Sequence, residues 1–228
     1  MGFDLMSTLA VEKAFKTEIL PSWTGAGHPL SVRWDPTTKL VEAIEAGARA
    51  DVLVLIDAPM AKMAEAGIVL GDTITPIARA GIGLGKRAGS AMPDISTADS
   101  FRQALLDAKA IAYSLGGASG IYIGKLIQTL GIADQINAKA VTIPAGFTAE
   151  KVISGEAEMA VQQISELMSV DGIGIVGPFP PEYQVATDFS VAIFADAANP
   201  DAARDFLRHL TTDAARAAYA RGGLAPRF

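Results

Sequence analysis

The chain contains no cysteine and only two histidines, His28 and His209. The lack of thiols excludes disulfides, thiolate nucleophiles and cysteine-based metal centres. Two histidines far apart in sequence exclude a histidine-rich metal site, and no Ser-His-Asp arrangement is visible. No apolar run reaches the roughly 20 residues that a membrane span needs, so no membrane insertion is expected. The first ten residues, MGFDLMSTLA, lack the basic segment and apolar core of a signal peptide. The expected location is periplasmic if a signal peptide has been removed, and cytoplasmic otherwise. Lysines and arginines are scattered, and the net charge is -6. Without a basic stripe, no nucleic-acid partner is expected.

What is present is apolar and patterned. Half of the 228 residues are hydrophobic and 19% are charged, the balance of a folded globular protein. The length is large for one simple core and suits two small lobes. Strand-like runs alternate with helical ones. Phe3 to Met6, Leu30 to Trp34, Val52 to Ile56, Ile111 to Ser114, Val141 to Ile143, Met159 to Gln163 and Ile173 to Val176 read as strands. The continuous run at 52–56 suits a strand buried on both faces. Between them lie helical patterns, beginning with Val11, Phe15 and Ile19 spaced by four and broken by Pro21 and the Gly25/Gly27 pair. Thr37 or Thr38 is placed to cap a helix carrying Leu40, Val41 and Ile44, and Ser96 and Thr97 to cap one carrying Phe101 and Leu105. Repeated strand-helix-strand units predict an α/β fold with mostly parallel sheets. There is no internal repeat and no low-complexity tract.

Two long extended segments, 74–86 and 185–195, stand apart. They are long enough to leave one lobe and enter another. The expected organisation is therefore 1–78 with 189–228 in one lobe and 79–188 in the second, joined by two crossings around a cleft.

Open parallel sheets bind ligands where the carboxyl ends of their strands lead into helix N-termini. Here those loops are Ser7-Thr8, Pro36-Thr37-Thr38, Gly116 to Gly120 and Gln162-Gln163. All offer neutral donors, and three open a helix. Free N–H groups and the positive end of the helix dipole favour an anion. Ser7, Thr8, Thr37, Thr38, Gly117, Ala118, Ser119, Gly120 and Gln162 are thus candidate ligand-binding residues, although Ser and Thr at helix starts also serve as plain caps. Arg79 is read either as a structural arginine or as a cation gripping a ligand carboxylate. Tyr122, one turn into the helix of the glycine-rich loop, is a core aromatic or a wall of the cleft with its hydroxyl toward the ligand. GIGLGK, 81–86, lacks the spacing of a nucleotide loop and lies in a predicted strand. Asp51 and Asp57 read as turn and capping residues. No metal and no cofactor is expected.

Several segments together resemble a known family. IEAGARADVLVLIDAPMAKMAEAGIV, GGASGIYIGKLIQTLGI and GEAEMAVQQISEL resemble successive parts of molybdate-type periplasmic binding proteins. NPDAARDFLRHLTTDAARAAYARGGL resembles the closing helix pair of many ABC-transporter solute-binding proteins. The resemblance spans nearly the whole chain. It implies a type II periplasmic-binding-protein fold, an anion in the cleft, and an ABC-transporter permease as a possible partner. Carried over by position, Ser7 and Thr8, Thr37 and Thr38, Ser119 and Gly120, and Gln162 match that family's ligand loops. Two departures matter. The second loop is Asp35-Pro36-Thr37-Thr38 where the family has a small Gly/Ser turn, and Arg79 is superfluous for molybdate. Both suggest an organic carboxylate, and a relative of the branch that this chain most resembles is similar to an aconitate isomerase. The sequence therefore supports a solute-binding protein for a small anion first. The alternative is a cofactor-free isomerase of a polycarboxylate, with Asp35 or Glu166 as candidate base.

Overall fold

The computed structural model describes residues 2–23 and 29–228, so Gly25, Gly27 and His28 lie outside the described residues. The chain separates into two compact units, Met1–Arg79 with Thr187–Phe228, and Ala80–Ala186.

The first unit opens with β1 (Phe3–Ser7). The expected single helix after it is a composite: a 3-10 turn Leu9–Val11, α1 (Glu12–Ala14), a π-helical turn Phe15–Ile19 and α2 (Leu20–Ser22). Leu9, Ala10 and Val11 are all buried, as are Ala14, Phe15 and Ile19. Consecutive buried residues sweep too wide an arc for one regular apolar stripe, so the pitch tightens and then widens. Pro21 sits inside the last turn rather than breaking it. Next come β2 (Leu30–Trp34), α3 (Thr37–Glu45), β3 (Val52–Ile56), α4 (Asp57–Glu65) and the 13-residue β4 (Thr75–Arg87). β1 pairs in parallel with β2 and with β3, so Ser7 lies beside Trp34 and Val54.

The second unit continues with α5 (Ala98–Asp107), β5 (Ile111–Ser114), α6 (Ala118–Thr129), α7 (Ala133–Asn137) and β6 (Ala140–Ile143). α8 (Ala149–Ile153), β7 (Met159–Gln163), α9 (Ile164–Leu167) and β8 (Ile173–Pro178) complete it. β5 is parallel to both β6 and β7, and the second half of β4 is antiparallel to β7 and β8. The strand order is therefore β6-β5-β7-β4-β8. The glycines of GIGLGK have a packing reason. A Cβ on Gly83 would lie 2.7 Å from Ile164 and 2.8 Å from the Gly177 carbonyl.

β9 (Ala186–Ile193) returns the chain to the first unit, where it pairs antiparallel with β3. α10 (Pro200–His209), α11 (Asp213–Arg221) and the short β10 (Ala225–Pro226) follow. Each sheet is covered on two faces. In the first unit Phe3, Phe15, Trp23, Phe206 and Tyr219 form one aromatic layer with ring centroids 4.7 to 6.3 Å apart. Leu40, Ile44, Leu53, Leu55, Met60 and Met63 fill the other face. In the second unit Phe101, Leu105, Tyr113, Ile123 and Ile127 pack with Phe179, while Ala112, Val152, Ala160 and Leu167 form a smaller layer. Val52 to Leu55 are wholly buried, as their unbroken apolar run predicts.

Two predictions follow from this packing. α6 docks so closely on β5 that a Cβ on Gly120 would lie 1.6 Å from the Ser114 carbonyl oxygen, whereas one on Gly124 meets nothing within 4 Å. Gly120→Ala should cost about 1–3 kcal/mol by forcing backbone apart. Gly124→Ala should add about 0.5–1 kcal/mol by restricting the unfolded chain. Denaturant unfolding of the two variants measures both. The second concerns Arg79 and Asp188, joined by two hydrogen bonds of 2.6 and 2.8 Å. The Arg79 hydrogen bonds hold the Asp188 carboxyl below its ordinary value. The pair's contribution is therefore full above the ordinary carboxylate range and lost as pH falls through the lowered value. Asp188→Asn should lower the Tm by roughly 1–3 °C at pH 7 and by less at pH 3, in thermal scans at both pH values.

Candidate functional site

Three parallel strands of the first unit end together. The Thr8 N–H donates to the Val54 carbonyl (3.2 Å) and the Asp35 N–H to the Ser7 carbonyl (3.2 Å), so the chain turns off β1 and β2 side by side. Ser7, Thr8 and Thr37 are buried there. The expectation that Thr37 or Thr38 caps α3 is not met. Pro36 takes the N-cap position with an extended backbone, and no side chain caps the helix. Thr37 is instead the first helical residue, and its buried Oγ1 has no hydrogen-bond partner among the described residues. With Thr38 it lines one end of a groove of about 560 Å³ between α3 and α4, whose walls include Val41, Glu45, Lys62 and Met63.

The second unit repeats the arrangement. β5, β6 and β7 end at Ser114, Ile143 and Gln163, and the Leu115 N–H donates to the Ile143 carbonyl (2.8 Å). Gly117 is the N-cap of α6 and has no side chain to offer. Ala118, Ser119 and Gly120 form its first turn, with Ser119 and Gly120 buried. A side chain at Gly117 would strike the Ser114 hydroxyl at 2.5 Å. No side-chain cap bond closes this helix start, so its first N–H groups have no partner of that kind. α4 also lacks a side-chain cap. By contrast, α5 and α11, which do not follow a parallel strand, are capped by Thr97 and Thr212.

The remaining expected site residues are engaged elsewhere. Arg79 is bidentate to Asp188, and Asp188 also faces Arg227, which bonds Asp57 at 2.8 Å. Asp57 in turn accepts the Ser190 hydroxyl at 2.6 Å. The guanidinium of Arg79 thus belongs to a closed charge network. The Tyr122 hydroxyl donates to the Tyr183 carbonyl at 2.7 Å, and burial, with Tyr183 second, pushes the phenol up. Asp35 accepts from Arg33 Nε at 2.8 Å. Glu166 accepts the Gln163 N–H at 3.3 Å at the start of α9.

Gln162 does something that its sequence position does not reveal. Its Oε1 accepts both the N–H (2.8 Å) and the hydroxyl (2.9 Å) of Thr148, while its Nε2 donates to the Gly146 carbonyl (2.9 Å). The wholly buried Thr148 and this amide thus fix residues 144–148, which leave β6 beside the glycine-rich loop. Sequence reasoning missed that loop. It also missed Glu12, which is buried one turn after Thr8 and paired with Lys16. The Lys16 ammonium lies 5.7 Å from the centre of the Trp34 ring. Among the described residues, no three His, Asp or Glu side chains are grouped to hold a metal ion, and no helix is long and apolar enough to cross a membrane.

Comparison with known proteins agrees with this geometry. The family model described as bacterial extracellular solute-binding protein matches residues 10–225. An aconitate isomerase of a Pseudomonas species is 35% identical over 178 residues, 78% of this chain and 68% of the relative. The periplasmic molybdate-binding protein of Azotobacter vinelandii superposes with a TM-score of 0.78 at 17% identity, covering 99% of this chain and 100% of its own. The sulfate-binding protein SubI of Mycobacterium tuberculosis gives 0.72 at 16% identity, covering 99% and 87%. At such identities the two structures speak for the fold alone. The chain has the α/β periplasmic-binding-protein fold, and it belongs to the bacterial extracellular solute-binding protein family.

Proposed function

We propose that the protein binds a small polycarboxylate of the aconitate type at these strand-end loops and interconverts its isomers by proton transfer. The observation that carries this reading is the 35% identity to an aconitate isomerase. The geometry supports the ligand class. Carboxylates suit uncapped helix starts and neutral hydroxyls, because the N–H dipoles stabilise charge without a bound cation. Each unit offers such groups at its own strand ends, Ser7, Thr8, Thr37 and Thr38 in the first and Gly117 to Gly120 in the second. Arg79 is left out of this proposed ligand set because it bonds Asp188. Shifting a double bond next to carboxylates is redox-neutral and loses no atom, so it needs one base and a polar frame for the transient charge. A second reading, receptor without chemistry, is favoured by the family match over 10–225. In that case an ABC-transporter permease is the partner.

A thermal-shift series with cis- and trans-aconitate, citrate, molybdate, tungstate, sulfate and phosphate tests the ligand class. At a hundredfold excess over Kd the expected stabilisation is about 2.7 kcal/mol, or roughly 5–10 °C for a chain of this size. Carboxylates should give it and inorganic oxyanions should not. Proton NMR of the same mixtures should then show one aconitate isomer turning into the other. Stabilisation with unchanged spectra would establish the receptor reading. Thr37→Val supplies an independent check. Its hydroxyl has no partner to lose, so the ligand-free Tm should stay equal or rise. Aconitate affinity should fall roughly tenfold or more, the loss expected for a hydrogen bond to a charged group.

A further inference from the structure

The isomerase reading requires a base, and the two carboxylates singled out in the sequence are both hydrogen-bonded within the chain. Asp35 is held by Arg33 and Glu166 is tied to the start of α9. A third carboxylate lies in the first unit, one turn beyond Thr8. Glu12 is 8% exposed, so it is nine-tenths buried. One of its oxygens accepts from Lys16 Nζ. Lys16 is the one side-chain partner of this carboxylate among the described residues. The pair is anchored at the strand ends. Lys16 lies over the ring of Trp34, Trp34 is the last residue of β2, and its register partner is Ser7, the last residue of β1. The edge contact of Phe15 with Trp34, 6.0 Å between centroids, fixes that ring. The pair also flanks an irregular helix: α1 supplies Glu12, and the π-helical turn Phe15–Ile19 supplies Lys16. Such turns collect at functional sites.

We propose that Glu12 is the catalytic base and that Lys16 receives one ligand carboxylate; this rests on the isomerase reading above. The other Glu12 oxygen takes a proton from the methylene carbon of the tricarboxylate. The C–H electron pair becomes the new C=C bond to the central carbon. The old π pair moves to the former vinyl carbon, which takes the proton back from Glu12. The double bond has then moved by one carbon, the carboxylate is restored, and no oxidant or reductant is consumed. A lysine four residues away suits the task, because it partly neutralises both the base and the developing charge.

The test uses the full chain, cis-aconitate in D2O followed by proton NMR, and tricarballylate as a saturated ligand that cannot react. Wild type should interconvert the isomers and lose its methylene signal to deuterium. Glu12→Gln should lose 10²-fold to 10⁴-fold of turnover, with exchange lost in parallel and tricarballylate Kd changed less than threefold. Glu12→Asp should recover part of the rate. Lys16→Met should weaken tricarballylate roughly tenfold, a result that stands even if Glu12→Gln does not fold. Full turnover in Glu12→Gln, or unchanged Kd in Lys16→Met, overturns this assignment and leaves the isomerase reading standing. A wild type that binds aconitate without conversion or exchange overturns the isomerase reading itself, and this assignment with it.

Discussion

A helix that starts at the end of a parallel strand has first N–H groups with no acceptor inside the helix, and α3, α4 and α6 meet that constraint without a side-chain cap, whereas at α9 Glu166 accepts one such N–H. Burying such a helix end without a partner is costly, so the N–H groups must face water, a side-chain cap or a ligand. α5 and α11 take the side-chain solution, with Thr97 and Thr212 accepting from backbone N–H groups. α3, α4 and α6 do not. At α6 the choice is built into the packing. Gly120 lets the helix lie against the Ser114 carbonyl, and Gly117 makes room for the Ser114 hydroxyl. A bulkier residue at either place would push the helix off the strand whose end it must meet.

Charge is handled in the opposite way. Arg79, Asp188, Arg227 and Asp57 form one linked group around β4, β9 and β10. Lys86 and Glu158 pair across β4 and β7 at 3.0 Å, with the Glu158 carboxyl held below its ordinary value first by the Lys109 N–H and then by Lys86. These pairs are internally satisfied, so they add little net field at the strand ends. What an incoming anion meets is oriented dipoles and hydroxyls. That arrangement needs no reorganisation when charge arrives or moves, which is the condition under which polar groups stabilise a transient carbanion better than water does.

Much of this fold is legible in the sequence because it rests on local rules. The apolar runs at 52–56, 111–114 and 159–163 are strands buried by neighbours on both faces. Thr97 could be read as a cap because Ser100 completes the box within one turn. The losses occur where a partner is distant or a backbone angle decides. Arg79 and Asp188 are 109 residues apart, and no spacing rule joins them. Thr37 and Thr38 look like caps, but Pro36 takes the N-cap with ψ 147°, so both threonines fall inside the helix. Gln162 is correctly placed at a strand end, yet its amide is spent on a loop 14 to 16 residues earlier. Glu12 and Lys16 have the spacing of an ordinary solvated helix pair. Only the burial of Glu12 and the position of Trp34 set them apart.

That last pair bears on how a binding fold can acquire chemistry. In the isomerase proposed above, a base must be negative, yet the site would have to attract an anion with up to three carboxylates. A bare carboxylate among the strand-end donors would repel the ligand by several kcal/mol at short range if water were excluded. Two solutions exist. The carboxylate can sit part-exposed beside a cation, as Asp35 does beside Arg33. Or it can be buried with a cation on one oxygen, within a pair whose net charge is zero. Glu12 meets the second condition: it is buried, and Lys16 takes one oxygen. The Trp34 ring then holds the lysine without consuming its charge, since the ring face attracts a cation but cannot neutralise it. A receptor needs only the dipoles. In the proposed isomerase, one buried carboxylate one turn beyond Thr8 would be the smallest addition that turns capture into proton transfer.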